Sequence, residues 1–190
     1  MTEFLVRAVE QPLACVGDGR TVVGKLAPYN EPALVNDGWG PYYEMFLPGC
    51  FDRCISGAAR YLKVQLMHNG HWVGRGDEWD NRPDGLWADL RLDDTEAGRE
   101  AAFKVRDGQA PGLSLEFLPS SARQFNIRGK HNGLDLVKRS RVKALRHVAL
   151  CDFPAYESAQ VAVVRSAPLP EGPPERLAYW QDWTARVRRT

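Results

Sequence analysis

Residues 111–117 read PGLSLEF. A short apolar run that follows a Pro-Gly turn signal is typical of a buried strand. Ser114 falls near the start of this strand, so its hydroxyl group would lie in a poor solvent. A buried hydroxyl group needs a hydrogen-bond partner. Ser114 therefore has either a backbone partner or a chemical role.

Similar short apolar or alternating runs recur along the 190 residues and predict a mainly β protein. Strands are expected at Phe4–Val9, Thr21–Leu26, Tyr42–Phe46, Leu62–Met67, Leu86–Leu92, Leu113–Phe117, Leu134–Val137, Val142–Leu150 and Val161–Val164. Helices are expected at Phe51–Ala59 and Thr95–Arg106, the second capped by Asp93 with Glu96 three residues later. Many short strands with few helices favour a closed β-barrel ringed by short helices, since closure removes exposed edges.

The C-terminal region has a different composition. Residues 167–174 read APLPEGPP, a Pro-rich linker that ends the barrel domain, predicted as residues 1–166. Residues 175–190 follow as an amphipathic helical tail, with Leu177, Trp180, Thr184 and Val187 on one stripe. The tail either docks a partner or folds back onto its own domain.

Composition excludes several classes of function. The net charge is +1 and the isoelectric point is near 7.7, which gives no basic footprint for nucleic acid or an anionic membrane. The N-terminus has neither a signal peptide nor an anchor, so a cytoplasmic protein is expected. The four cysteines form no C-x-x-C pair and are expected to be buried, reduced thiols. No cofactor is predicted.

The four histidines differ in context. His131 lies in a Gly-flanked hairpin turn and is expected to be a solvated loop residue. His68 ends the apolar run VQLMH at the rim of a sheet, and His71 follows in the turn. His147 lies in the strand-like run ALRHVALC, where alternation would place it on one face with Leu145 and Ala149.

His68, Ser114 and His147 each fall at or near a predicted strand, where a nucleophile, its base and the group that orients the base could converge. A serine hydroxyl is a weak nucleophile at neutral pH, so an imidazole must accept its proton and a third group must fix that imidazole's tautomer. These three residues are the candidate catalytic set.

Two other chemistries remain open from the residues alone. Cys50 and Cys54, with His68 and His71, supply four zinc-type ligands at unusual spacing, although no metal is our preferred prediction. Cys151 beside His147 is a candidate nucleophile, but four residues along a strand separate them by about 13 Å. A buried structural thiol is the preferred interpretation of Cys151.

Several stretches, in order from about Thr21 to Arg165, resemble the successive motifs of the prohead proteases of tailed bacteriophages. They are YYEMFLPGCFDRCI, VQLMHNGHWVGRG, the stretch from DGLWADL to GLSLEFLP, and LRHVALCDFPAYESAQVAVVR. That family is similar in fold to the herpesvirus assemblin proteases, which implies an assemblin-like closed β-barrel ringed by short helices. The family's histidine falls on His68 and its serine on Ser114. Its segment ending in P-A-Y falls on residues 147–156.

The resemblance implies a capsid maturation serine endopeptidase that acts in the host cytoplasm, inside the assembling prohead. Its partners would be the major capsid protein with its scaffold segment, a separate scaffold protein, and the protease itself. Where relatives are expected to carry an acid, this sequence has His147, which implies the Ser-His-His set of the assemblins. The oxyanion donors stay open and would be backbone N–H groups or an arginine, with Arg146 and Arg165 as candidates. The cleavage motif and the oligomeric state stay open.

Two alternatives from other classes remain. A non-catalytic assembly or scaffold partner could use the same barrel without needing Ser114. A zinc-stabilised binding module would instead use the cysteine and histidine ligands. Neither alternative involves nucleic acid or a membrane.

Overall fold

The computed structural model describes residues 5–10, 19–36, 40–56, 62–67, 70–152, 156 and 161–165, with backbone alone for 5–10 and 161–165. The strands are β1 (Leu5–Glu10), β2 (Thr21–Pro28), β3 (Ala33–Asn36), β4 (Pro41–Phe46), β5 (Lys63–Leu66), β6 (Trp72–Arg82), β7 (Gly85–Leu92), β8 (Gly112–Pro119), β9 (Asn126–His131), β10 (Leu134–Arg139), β11 (Val142–Cys151) and β12 (Val161–Arg165). The described helices are α1 (Asp52–Ile55) and α2 (Glu96–Arg106), and a 3-10 turn lies at Arg123–Phe125.

The strands form two sheets, which confirms the mainly β prediction. The larger sheet has eight strands in the order β1-β8-β11-β5-β6-β7-β2-β12, and the smaller has the order β3-β4-β10-β9. Strand β11 pairs antiparallel with β8 and parallel with β5. No described pairing joins the edge strands β1 and β12, so closure of the barrel stays a prediction. The predicted linker 167–174 and tail 175–190 lie outside the described residues.

The core forms on one face of the large sheet. Leu113, Leu115 and Phe117 of β8 alternate onto this face and are almost fully buried. Phe46 packs against Phe117 and Phe51 at ring-centroid distances of 5.2 and 4.9 Å. Each such side chain contributes roughly 1.5–3 kcal/mol on burial. This packing fixes β8, and the residues between these core positions point the other way.

Helix α2 ends at Arg106 as predicted, but the prediction that Asp93 caps it is wrong. The N-cap is Thr95, whose side chain accepts a hydrogen bond from the Gly98 N–H at 3.1 Å. The backbone N–H of Asp93 instead donates to the Val73 carbonyl at 2.8 Å, which ties Asp93 to β6.

Helix α1 is shorter than the predicted Phe51–Ala59. It ends at Ile55 because Ser56 has an extended backbone, with ψ of 100°. Residues 57–59 lie outside the described part of the chain. In the described ranges, no helix is long and apolar enough to cross a bilayer.

A buried ion pair joins strands β4 and β10 in the smaller sheet. The Arg139 guanidinium lies 2.8 Å from a Glu44 carboxylate oxygen, and both side chains are at least nine-tenths buried. Tyr156, from the P-A-Y stretch, donates its hydroxyl to the other Glu44 oxygen at 3.4 Å. Removing one partner of a buried pair leaves an uncompensated charge, which costs about 3–5 kcal/mol. This network therefore anchors the chain that follows β11.

Candidate active site

Ser114 is the third residue of β8 and lies on the face opposite the core. Its neighbours Leu113 and Leu115 are core residues, so alternation turns Ser114 and Glu116 to the other face. Ser114 has no exposed surface, and its hydroxyl has no hydrogen-bond partner among the described residues. A buried, unpaired hydroxyl carries a desolvation cost. The backbone-partner explanation for Ser114 therefore finds no support in the described part of the chain.

Strand β11 brings His147 onto the same face. Ala149 pairs with Ser114, and His147 pairs with Glu116. Residues offset by two on paired strands have Cα atoms about 7–8 Å apart. Ser114 and His147 are such a diagonal pair.

The prediction that Leu145 shares this face with His147 is wrong. The pairing with β8 shifts register between Leu145 and His147, which leaves Arg146 as the extra residue of a β-bulge. Leu145 pairs with Phe117 and packs against the core, whereas His147 lies on the Ser114 face. Bulges commonly redirect side chains next to active sites. The sequence alternation alone gave no sign of this bulge.

Glu116 is the functional candidate that the sequence interpretation missed. Its Oε2 lies 3.0 Å from Nδ1 of His147, and its Oε1 accepts a hydrogen bond from Nη1 of Arg146 at 2.7 Å. The first contact has ion-pair distance but not hydrogen-bond alignment. Catalytic hydrogen bonds are often poorly aligned without substrate. The signal available in the sequence was the spacing of Glu116, two residues after Ser114 on one strand.

His68 lies outside the described residues, but the turn around it is described on both sides. The N–H of Met67 donates to the Leu150 carbonyl at 2.8 Å, and the N–H of Leu66 donates to the His71 carbonyl at 3.1 Å. Met67 has a φ of 56°, in the left-handed region that bulky residues rarely occupy. Such strain clusters at functional sites. The residue that precedes His68 is therefore held tightly at the end of β11.

Strands β5 and β6 continue the same face beyond His147. Lys63 of β5 pairs with His147, and its Nζ lies 5.3 Å from the centroid of the Trp72 ring. The Trp72 ring meets the His147 ring edge-on at 5.7 Å and remains half-exposed. Trp72 thus shields one side of His147 from solvent.

Two of the candidate zinc ligands, Cys50 and Cys54, lie apart from this face. Cys50 and Cys54 belong to the hydrophobic core cluster, and Cys54 donates its thiol to the Val142 carbonyl at 3.3 Å. Burial raises the pKa of Cys54 to about 11 and that of Cys50 further. His71 is exposed. Among the described residues, no group of three histidine, cysteine or acidic side chains is placed to hold a metal ion.

The other residues that the sequence singled out are Cys151, Arg146, Arg165 and His131. Burial raises the pKa of the Cys151 thiol to about 12, which fits a structural thiol rather than a nucleophile. Arg146 is held by Glu116, and the side chain of Arg165 lies outside the description. His131 is half-buried at the end of β9, with its ring 4.5 Å from that of Tyr43, so the prediction of a solvated loop residue is wrong. His131 is held in β9 by its pairing with Leu134 of β10.

Comparison with known proteins identifies the family of this chain. The model of the caudovirus prohead serine proteases matches residues 24–169, which include Ser114, His147 and the position of His68. The chain belongs to this family. It is accordingly a serine protease, and the resemblance inferred from the motifs is confirmed.

Two further comparisons add less to this assignment. Among solved structures, the prohead protease is similar to the bacteriophage T4 capsid assembly protease gp21, with 9% sequence identity and a TM-score of 0.42. The match covers 84% of this chain and 97% of that chain. A score of this size carries no argument, so family membership rests on the sequence match. No curated protein matches the chain.

Proposed function

We propose that this prohead protease cleaves the scaffold segment of a major capsid protein, or a separate scaffold protein, and also itself. It does so inside the assembling prohead, in the host cytoplasm. The observation that carries the proposal is the fully buried Ser114 hydroxyl, which lacks a described partner and shares a sheet face with His147. Membership of the prohead serine protease family supports the assignment of Ser114 as the nucleophile.

The proposed reaction uses Ser114 and His68 in two steps. The Ser114 Oγ attacks the scissile carbonyl carbon while His68 accepts the hydroxyl proton. His68 then gives that proton to the leaving amine, the peptide C–N bond breaks, and an ester to Ser114 remains. A water molecule then gives a proton to His68 and attacks the ester carbon. The bond from this carbon to Ser114 Oγ breaks, the new carboxyl terminus leaves, and His68 returns the proton to Oγ.

His147 would orient His68 in this scheme. A neutral imidazole can accept the N–H of His68 and so fix its tautomer, although it brings no negative charge of its own. The hydrogen bond from the Met67 N–H to the Leu150 carbonyl of β11 supports the proposal that the next residue, His68, lies near the Ser114 face. The oxyanion would be bound by backbone N–H groups or by Arg165, because the Arg146 guanidinium already binds Glu116.

The domain layout extends the same proposal. Residues 1–166 would form an assemblin-like closed barrel, residues 167–174 a stiff linker, and residues 175–190 a helix. The Trp-bearing stripe of that helix would dock the protease onto the capsid or scaffold protein during assembly. A homo-oligomer of the protease is a further part of the proposal.

Co-expression with the capsid protein encoded beside this protease tests the function directly. We expect the capsid protein to lose an N-terminal scaffold segment, because the serine protease acts on that segment within the prohead. Mass spectrometry of the assembled shells would identify the new N-terminus, and expression of the capsid protein alone is the control. Full-length capsid protein in shells that contain the protease would contradict the proposal.

A further inference from the structure

The bulge in β11 directs two consecutive side chains to one carboxylate. Consecutive strand residues normally point to opposite faces. Because Arg146 is the extra residue of the bulge, Arg146 and His147 both reach Glu116, one at each oxygen. The Glu116 side chain is about nine-tenths buried, so this charge interacts with His147 at low local dielectric.

We propose that Glu116 is a positioning residue that supplies His147 with the negative charge that an acidic third member would have provided. This inference rests on the proposed function of Ser114, His68 and His147. In the substrate complex, where such contacts align, Nδ1 of His147 donates its proton to Glu116, which leaves Nε2 as the acceptor for the N–H of His68. The developing charge on His68 is then stabilised by a carboxylate one imidazole away.

The charges around His147 come from three strands. Arg146 is on β11 itself, and β8 contributes Glu116. Lys63 of β5 pairs with His147, but its ammonium group lies over the Trp72 ring. On β1, the residue paired with Glu116 is Val6, which carries no charge. Glu116 is a carboxylate that reaches His147, with Oε2 3.0 Å from Nδ1.

This arrangement explains how the chain can carry histidine where an acid is expected in relatives. The acid lies on the neighbouring strand, two residues beyond the nucleophile. In this chain, the position opposite His147 carries a carboxylate. Arg146 holds the outer oxygen of Glu116 and limits the carboxylate to the orientation that meets His147.

The test uses a fluorophosphonate, which reacts with an activated serine and needs no knowledge of the substrate. The rate at which Ser114 is phosphonylated is measured from about pH 5 to pH 8, where an imidazole base loses its proton. Glu116→Gln should lower the plateau rate about tenfold, less than the roughly 10²- to 10⁴-fold that general base catalysis contributes. It should also move the acid limb of the curve of labelling rate against pH about one unit to lower pH, because a nearby carboxylate raises an imidazole pKa.

Three matched variants separate this role from a structural one. Arg146→Gln removes a cation beside the carboxylate, so the acid limb should move to higher pH, opposite to Glu116→Gln. In a His147→Ala background, Glu116→Gln should cause no further loss, because Glu116 acts through His147. Glu78→Gln, at an exposed glutamate on β6, should match the wild type.

The outcomes are distinguishable. An unchanged acid limb in Glu116→Gln, equal shifts in the Glu116 and Arg146 variants, or additive losses with His147→Ala would each overturn the role of Glu116. A wild-type chain whose Ser114 is never labelled would instead contradict the proposed function itself. Melting curves of each variant identify any loss of labelling rate that comes from unfolding.

Discussion

Ser114→Ala should abolish processing of the capsid protein and lower kcat by on the order of 10⁶-fold, the size expected when a serine protease loses its nucleophile. The reason is chemical, since alanine has no atom that can form the acyl-enzyme. The substitution removes no described hydrogen bond and makes almost no cavity, so the free energy of unfolding should change by less than about 1 kcal/mol. Capsid processing and a thermal melt of the same variant measure both effects.

Ser56→Ala is the matched control for this variant. Ser56 is exposed after helix α1, and its hydroxyl donates to the Arg53 carbonyl at 3.4 Å. Activity of this control should equal that of the wild type, because Ser56 is exposed and, in the described ranges, its hydroxyl bonds only to the preceding helical turn. Continued processing by a folded Ser114→Ala protein would refute the catalytic role of Ser114.

Gly70→Ala should have the second largest effect, a loss of at least about 10²-fold in activity, the lower end for loss of a general base. A Cβ at Gly70 would lie 1.6 Å from the Leu66 carbonyl oxygen, so the turn that carries His68 cannot keep its backbone. His68 itself is unchanged in this variant. The expected loss therefore comes from displacement of the base, and cleavage of the capsid protein measures it.

Gly129→Ala is the control, since it makes the same substitution at a glycine that has room for a methyl group. A Cβ there would meet only the Leu136 side chain, at 4.0 Å, in the smaller sheet. Both variants should stay folded at the assay temperature, which circular dichroism would establish. Wild-type activity in Gly70→Ala would mean that the turn after β5 does not position the catalytic base.

Local patterns predicted much of the large sheet but only part of the site. The alternation in LSLEF identified a strand and a buried Ser114 because one face of β8 is covered by the core. Strand β6 was missed because its charged and polar residues dilute the apolar signal, and β9 was missed because nearly all of its side chains are polar or exposed. Strand β9 lies at the edge of the smaller sheet, and an antiparallel sheet can expose one face to water.

The link between His147 and Glu116 could not be predicted from one sequence. It depends on the bulge at Arg146, which changes the face of every later residue of β11 relative to Leu145. Bulges are set by pairing with a neighbouring strand, and that register is not local information. The role of His68 stays a prediction from its motif, and the strained φ of Met67 before it could not be predicted from the sequence.

Mapping a covalent label tests the central claim, that Ser114 is the nucleophile, most directly. The native protein would be treated with a fluorophosphonate, digested with trypsin and sequenced by tandem mass spectrometry, with denatured protein and Ser114→Ala as controls. Of the seven serines in the chain, we expect the native protein to carry one label, on Ser114, and both controls to carry none there. A label on another serine, or no label on a preparation that cleaves the capsid protein, would contradict the account.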